Sequence, residues 1–152
     1  MIQIRPVSPE EKDPLFELLK FLTPPGMPEP PAFDRKKFGE VFDLMSQNPN
    51  YHLLGAFDAQ GKLLGSVMGL ISHDLKLTCR PLMLMENMVV LPQARSQGLG
   101  QKLLKALEEI ARLENCFFIQ FCSSMSRKDA HRFYEEKMGY SPHTAQGYRK
   151  FL

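Results

Sequence analysis

The sequence predicts a mixed α/β fold in which helices cover both faces of a β-sheet. Stretches of strand length and stretches of helical periodicity alternate along most of the chain. Two early strands are separated by a turn sequence that is typical of a hairpin. The chain has 152 residues, 43% of them hydrophobic, which is enough for one domain with a substantial core.

The first third of the chain predicts one strand and two helices. Apolar residues that alternate with polar ones at the N-terminus favour a short strand. Ser8 is placed to cap a helix over residues 9–22, whose apolar residues share one face. The prolines of residues 24–31 exclude regular structure and predict a stiff, extended loop. A second amphipathic helix is predicted over residues 34–46.

The middle of the chain predicts three strands. Tyr51–Phe57 and Leu63–Ile71 are apolar stretches joined by Asp58–Lys62, whose residues favour a hairpin turn. Leu82–Leu91 is a third apolar stretch of strand length. Pro92 closes it, because proline cannot donate to a ladder of hydrogen bonds.

The C-terminal part predicts two more helices and two more strands. Apolar residues at helical spacing run from Leu99 to Leu113. Ser126, with Asp129 three residues later, resembles a capping box that begins the last helix. The other predicted boundaries are Asn115 at the end of the first of these helices, an aromatic and β-branched strand over Cys116–Cys122, Gly139 after the last helix, and a final strand over Gly147–Leu152.

Charge and cysteine content narrow the class of protein. The 19 basic and 17 acidic residues leave a net charge of +2, which does not favour nucleic acid or an anionic membrane as the main partner. No apolar run is long enough to span a bilayer, and residues 1–6 lack the apolar core of a signal peptide. The three cysteines and four scattered histidines form no metal-ligand pattern. We therefore expect a cytoplasmic protein with reduced thiols and no metal.

A short glycine-containing stretch, residues 95–100 (RSQGLG), lies where the third strand gives way to the next helix. Glycine lets an anionic ligand approach the backbone closely. The start of a helix offers unpaired N–H groups and the positive end of a dipole. Together these features predict a phosphate site, flanked by Arg95, Lys102 and Lys105, where the alternative is a plain turn between strand and helix.

Two other phosphate-binding motifs do not fit this stretch. Gly98 and Gly100 are too close together for a P-loop, which needs a glycine, four residues and then Gly-Lys-Ser/Thr. A Rossmann fingerprint needs a third glycine where this chain has Leu103.

The glycine stretch resembles the pyrophosphate loop of the GNAT superfamily of N-acetyltransferases, which bind acetyl-CoA there. Residues 130–140 (AHRFYEEKMGY) are similar to the family's late helix, and residues 85–92 (MENMVVLP) look like its acetyl-CoA strand. The three matches follow the family's order, and the predicted elements agree over nearly the whole chain. The resemblance implies a central, mostly antiparallel twisted sheet in a single domain over residues 1–152. It also implies an acetyl-CoA-dependent N-acetyltransferase.

The resemblance assigns the cofactor to two adjoining segments. Backbone N–H groups of the strand would pair with the pantetheine arm and stabilise the oxyanion, and those of the loop would hold the pyrophosphate. The residues concerned are Met88, Val89 and Val90 in the strand, and Arg95, Gln97, Gly98, Leu99, Gly100, Gln101 and Lys102 in the loop and the first helical turn.

Acetyl transfer to an amine requires a base, because an alkylamine with a pKa of about 10.4 is mostly protonated at neutral pH. Glu86 is the candidate base, acting directly or through water. A charge within an apolar strand costs free energy unless it is paired, hydrated or facing a cleft, so the alternative is a solvent-facing or ion-paired carboxylate. Carboxylates lie near this position in many members of the family, though not in all.

The leaving thiolate needs a proton, and Tyr134 matches the tyrosine usually proposed as the family's general acid. The alternative is an aromatic packing residue beside Phe133. Cys122 would end a strand near the expected thioester and could act as a nucleophile, but the sequence favours a buried structural cysteine there, because no histidine is placed beside it.

The acceptor is predicted less sharply than the donor. The region that shapes it in the family carries prolines and aromatics here, namely Pro24 to Pro31, Phe33, Phe38, Tyr140 and Tyr148. These residues favour a partly apolar pocket for a small amine, with a protein lysine or N-terminus as the second choice. A homodimer is common in the family. The alternative function is a non-catalytic acyl-CoA-binding regulatory module on the same fold.

Overall fold

A five-stranded sheet in the order β1-β2-β3-β4-β5 is the centre of the first of two units into which the chain divides, Met1–Cys122 and Ser123–Leu152. Neighbouring strands are antiparallel, except for β4 and β5, which are parallel. The mixed, mostly antiparallel sheet is therefore confirmed. The strands are β1 Gln3–Pro6, β2 Tyr51–Phe57, β3 Leu63–Ser72, β4 Leu82–Val90 and β5 Ile119–Gln120.

The computed structural model of the protein describes residues 1–22, 34–76, 78–143 and 145–152. The predicted proline loop over residues 24–31 and Phe33 lie outside the described residues. Among the residues described, no helix has the length and apolar character needed to cross a membrane.

One face of the sheet is closed by helix α3, Leu99–Leu113. Two glycines of β3 let the helix approach: a Cβ on Gly69 would lie 2.7 Å from Leu107 Cδ1, and one on Gly65 would lie 3.3 Å from Leu103 Cδ1. The side chains of this closed face are buried against the helix. They include Val67, Ile71, Met83 and Met85.

The other face is covered in part by helices α1, Lys12–Leu19, and α2, Arg35–Ser46. Val90 stands opposite Gly65, on the side of α3. The preceding residue, Val89, therefore points to the side of α1 and α2 and joins a buried cluster. That cluster contains Val7, Leu15, Leu18, Phe42, Phe57, Leu63 and Val89. Helices therefore cover both faces, as predicted.

Local signals in the first unit set the helix boundaries near the predicted residues. The Ser8 N–H donates to Glu11 Oε2 at 2.8 Å, and a 3₁₀ turn over Pro9–Glu11 precedes α1. The Asp34 carboxylate accepts from the Lys37 N–H at 3.1 Å and begins α2.

The end of α3 is also confirmed. Asn115 adopts a left-handed conformation with φ +55° and donates its N–H to the Arg112 carbonyl at 3.0 Å. The Cys116 N–H donates to the Ala111 carbonyl at 2.8 Å. These two bonds form a Schellman motif with asparagine at the position where glycine is most frequent.

The predicted strand over Cys116–Cys122 is shorter than expected. Its first residue still belongs to the helix end, and regular pairing is confined to Ile119 opposite Met83 and Gln120 opposite Leu84. Beyond Leu84, no residue of β4 pairs with this segment, and the register of β4 with β3 shifts two residues later. The length of β5 is therefore limited by its partner and not by its own β propensity.

Two predictions in the second unit are wrong. The last helix, α4, covers Lys128–Arg132 and begins after Arg127, not Ser126. The Ser126 hydroxyl lies 3.0 Å from the Ser124 hydroxyl, and the Asp129 carboxylate pairs with Arg132, so neither side chain caps the helix. Residues 147–152 form no strand, because no described strand pairs with them.

Candidate functional site

Strand β4 carries a bulge that reverses which neighbour its backbone faces. The Met83 N–H donates to the Phe118 carbonyl at 3.0 Å, toward β5, whereas the Leu91 N–H donates to the Leu64 carbonyl at 2.9 Å, toward β3. Residues an even number of positions apart face the same neighbour in a regular strand. One extra residue therefore lies between them, at the left-handed Asn87, which has φ +56°.

The bulge turns the N–H groups of Met88 and Val90 away from β3. The Val90 carbonyl faces the same way, since it accepts a hydrogen bond from Arg95 Nε at 3.2 Å. Strand β5 pairs with β4 no further than Leu84, so this part of β4 has a free edge among the described residues. Val89 instead faces β3 with its backbone and the core with its side chain. Two backbone donors are thus available at one free edge.

The glycine loop follows directly after this free edge. Ser96 and Gly98 are both left-handed, with φ +63° and φ +74°, and they turn the chain into α3. The first helical bond runs from the Lys102 N–H to the Gly98 carbonyl at 3.0 Å. The N–H groups of Leu99, Gly100 and Gln101 precede that bond and have no acceptor within the helix.

The electrostatics of this helix start favour an anion. A Cβ added at Gly98 would meet nothing within 4 Å, so the loop backbone is open to a ligand. Arg95 and Lys102 are exposed beside it, and the positive end of the α3 dipole points at the same place. Gln97 lies at this turn as well, where its amide donates to the Gln93 carbonyl at 3.3 Å.

Glu86 lies one residue before the bulge, on the face of the sheet opposite to α3. It stands opposite Met68 of β3, and its side chain is exposed. Among the described residues, its carboxylate has no hydrogen bond or ion pair, unlike the other acidic residues near this face, such as Glu11 and Glu17. An exposed, uncommitted carboxylate beside the free strand edge is able to accept a proton.

Tyr134 lies in the second unit, within a π-helical turn over Phe133–Lys137. Its carbonyl accepts from the Tyr140 N–H at 3.0 Å, and its ring contacts those of Phe133 and Tyr140 at centroid distances of 5.3 and 6.4 Å. Burial raises the pKa of the Tyr134 phenol above its usual value, and the charge of Arg127 offsets part of that rise. The phenol is therefore a proton donor across the neutral range.

Cys122 differs from the expectation of a buried structural cysteine, because it is exposed. It follows β5 at the end of the first unit, where the chain has left the sheet. Exposure alone does not activate a thiol, and no base of the described residues contacts it. All three cysteines are free.

The bulge at Asn87 was not predicted from the sequence. An asparagine inside an apolar strand is a usable signal, because asparagine tolerates the left-handed region better than most residues. The bulge was nevertheless not predictable from composition, since its effect depends on the register with β3.

Comparisons with known proteins point to acetyltransferases. A model of the Acetyltransferase (GNAT) family matches residues 14–140. An aminoalkylphosphonate N-acetyltransferase of Salmonella typhimurium is 27% identical over 135 residues, which cover 87% of this chain and 80% of that protein. The uncharacterised N-acetyltransferase YhdJ of Bacillus subtilis is 40% identical over 55 residues, which cover 36% of this chain and 39% of that protein.

A solved structure gives the same result for the fold. The putative acetyltransferase from Agrobacterium tumefaciens superimposes with a TM-score of 0.82 at 26% identity, and the match covers 97% of this chain and 99% of that one. The mixed sheet, with a free strand edge beside a glycine-containing helix start, has the fold and the family match of a GNAT acetyltransferase. The chain belongs to the GNAT family of acetyltransferases. The prediction of an N-acetyltransferase of this family is confirmed.

Proposed function

We propose that the protein transfers the acetyl group of acetyl-CoA to a primary amine by direct attack in a ternary complex. The observation that carries this proposal is the adjacency of two backbone donor sets. Met88 and Val90 offer N–H groups at the free edge of β4, and the start of α3 offers its own a few residues later. A long ligand with an amide-containing arm and a pyrophosphate matches that arrangement.

The arm of the cofactor would extend β4 as an added strand. An extended amide chain pairs with a free edge through backbone hydrogen bonds. The same N–H groups would stabilise the oxyanion of the tetrahedral intermediate. The pyrophosphate would lie on residues 97–102 with Arg95 adding positive charge. Val89 contributes by packing, since its backbone is engaged with β3.

Glu86 is the base in this proposal. It would remove the proton from the acceptor ammonium, directly or through one water, so that a neutral nitrogen attacks the thioester carbonyl. The carbon–nitrogen bond forms, the nitrogen releases its second proton to solvent, and the carbon–sulfur bond breaks. Tyr134 would then give its proton to the departing sulfur and recover it from solvent, so the products are the acetamide and CoA.

The three free cysteines support a reducing compartment, which agrees with a cytoplasmic enzyme. We propose primary amines as the class of acceptor.

Calorimetric titration with acetyl-CoA, run beside acetyl-pantetheine, tests the donor site. We expect micromolar binding of acetyl-CoA and much weaker binding of acetyl-pantetheine, because the latter lacks the pyrophosphate. The bound enzyme is then mixed with a panel of primary amines, and CoA release is measured with a thiol reagent. No binding would overturn the proposal. Binding without turnover of any amine would favour a non-catalytic acyl-CoA module.

Replacing Tyr134 with phenylalanine tests the acid. The ring and its packing remain, but the proton donor is lost, so we expect kcat to fall about 100-fold while the melting temperature stays the same. The wild-type rate should rise with pH as the amine loses its proton. Because the pKa of the Tyr134 phenol is raised, its ionisation should not lower the rate until above about pH 10. A Tyr134→Phe enzyme with the same kcat as the wild type at every pH would contradict the assignment of Tyr134 as the acid.

A further inference from the structure

The face of the sheet opposite to α3 carries an apolar floor beside Glu86. Leu53 stands opposite Met68, and Met68 stands opposite Glu86, so these three side chains form one row across β2, β3 and β4. Directly opposed residues of antiparallel strands have their Cβ atoms about 5 Å apart on the same face. The carboxylate therefore has apolar neighbours along its row.

A second row lies next to the first. Tyr51 stands opposite Leu70, Leu70 opposite Leu84, and Leu84 opposite Gln120 of β5. The apolar members of both rows are only half-buried, whereas Glu86 and Gln120 are exposed. We call Leu53, Met68, Leu70 and Leu84 the apolar floor.

The helices on this side do not bury the whole face. The cluster under α1 and α2 contains Phe57, Leu63 and Val89, which lie toward the other end of the strands. Leu53 packs against that cluster from its edge. The floor thus continues from the core toward an accessible surface, and Glu86 stands at its border.

Among the strand residues, two charged side chains share this face, Glu86 and Arg5. Arg5 stands opposite Gly55, but it is committed: its guanidinium pairs with Glu11 at 2.5 Å and lies over the Phe57 ring at 3.6 Å. In the two rows described above, Glu86 is the group that is charged at neutral pH. This combination attracts an ammonium and repels an anion.

We propose that the acceptor is a primary amine with an apolar body, an alkylamine or arylalkylamine, and not an amine that carries a phosphonate or phosphate. This inference rests on the proposed function. The ammonium binds at Glu86, and the apolar body lies on the floor formed by Leu53, Met68, Leu70 and Leu84. The aminoalkylphosphonate named for the Salmonella relative is then a different acceptor class from the one used here.

A homologous series of amines tests the inference on the wild-type enzyme. Ethylamine, butylamine and hexylamine are compared with 2-aminoethylphosphonate, and kcat/KM is measured with saturating acetyl-CoA. Each buried methylene should raise kcat/KM about three- to fourfold, and the phosphonate should fall at least about tenfold below butylamine. A flat series, or a phosphonate preferred over all three alkylamines, would overturn the inference while leaving acetyl transfer intact.

Acetyl-CoA titration and the acetylation assay together distinguish failure of the proposed function from failure of this inference. If acetyl-CoA binds but no amine is acetylated, the proposed function fails and this inference fails with it. If 2-aminoethylphosphonate alone is acetylated, the proposed function stands and the apolar acceptor is wrong.

A charge placed on the floor sharpens the result. Leu84→Lys should reverse the preference, raising the phosphonate-to-hexylamine ratio of kcat/KM at least about tenfold. Leu44→Lys is the matched control, because Leu44 is 72% exposed on α2 and belongs to neither row. An equal change of the ratio in both variants, with both folded by circular dichroism, would count against the floor as the acceptor surface.

Discussion

The two faces of the sheet differ in how completely helices cover them, and we propose different roles for them accordingly. On the closed face, Val67 and Met83 are 0% exposed beneath α3. Their chain neighbours Met68 and Leu84 point the other way and remain half-buried. The closed face thus holds α3 against the sheet, whereas the other face leaves the charge of Glu86 exposed. Neighbouring residues of one strand therefore belong to the core and to the proposed site in turn.

The largest expected effect tests this difference in stability. Met83→Ala should lower the free energy of unfolding by about 3 kcal/mol, because it leaves a cavity in a packed interior. Leu84→Ala should cost only about 1 kcal/mol, because its side chain is already partly in water. Denaturant titration of both variants measures the gap. Equal losses would mean that the two faces are equally buried in solution.

Replacing Glu86 tests the chemistry that we assign to the open side. Glu86→Gln should lower kcat about 100-fold at pH 7 and leave acetyl-CoA affinity unchanged, because the amine loses its base. The deficit should shrink toward pH 10, where the amine deprotonates unaided. Glu40→Gln on α2 is the control, since Glu40 is a surface residue 3.9 Å from Lys37. A Glu86→Gln enzyme that keeps full turnover at pH 7 would remove the base assignment.

Two glycine substitutions, one on each face of the sheet, test whether the spacing between β4 and α3 affects acetyl-CoA binding. An added Cβ at Gly65 would lie 2.9 Å from the Val89 carbonyl oxygen, between β4 and α3, so Gly65→Ala should cost about 2 kcal/mol and weaken acetyl-CoA binding.

The matched variant is Gly55→Ala, whose Cβ would meet the side chains of Phe57 and Leu63 on the opposite face. It should also lose stability, but a calorimetric titration should find its acetyl-CoA affinity unchanged. Equal affinity losses in both variants would show that general destabilisation, and not the spacing of β4 and α3, weakens binding.

The smallest effect concerns how the cover of the second face is fastened. The Arg5 guanidinium holds the pKa of Glu11 down to about 2, from 4.5. A depressed carboxylate pKa stabilises the fold above pH 4.5, and that contribution is lost as the pH falls toward 2. Glu11→Gln should therefore cost about 1.5 kcal/mol at pH 7, and the difference from wild type should vanish near pH 2. Urea titrations at both pH values check this, and a difference that persists in acid would contradict it.

Local chemistry accounts for the parts of the fold that the sequence predicted well. Asp34 begins α2, Asn115 ends α3, and the Asp58 carboxylate accepts from two backbone N–H groups in the hairpin turn, each at 2.9 Å. These signals act within a few residues, so they survive without knowledge of the tertiary structure. The glycine loop belongs to the same class, because its donors come from the start of its own helix.

The two strand predictions that failed needed a partner distant in the sequence. The strand expected over Cys116–Cys122 shrank to two residues, and residues 147–152 formed none, because a ladder requires a neighbour in register. The Ser126 hydroxyl contacts the nearby Ser124 hydroxyl and does not cap the helix. In each case, another hydrogen-bond partner, or the absence of a strand to pair with, overrode a sound local preference.

The order of elements, the glycine loop and the family could be read from the sequence, because each depends on local patterns of residues. The bulge at Asn87, which frees the edge of β4, and the half-open apolar surface beside Glu86 became visible only in the folded chain. Both depend on the register between β3 and β4 and on where α1 and α2 stop covering the sheet. Register and coverage arise from packing between distant segments, which no single stretch of sequence contains.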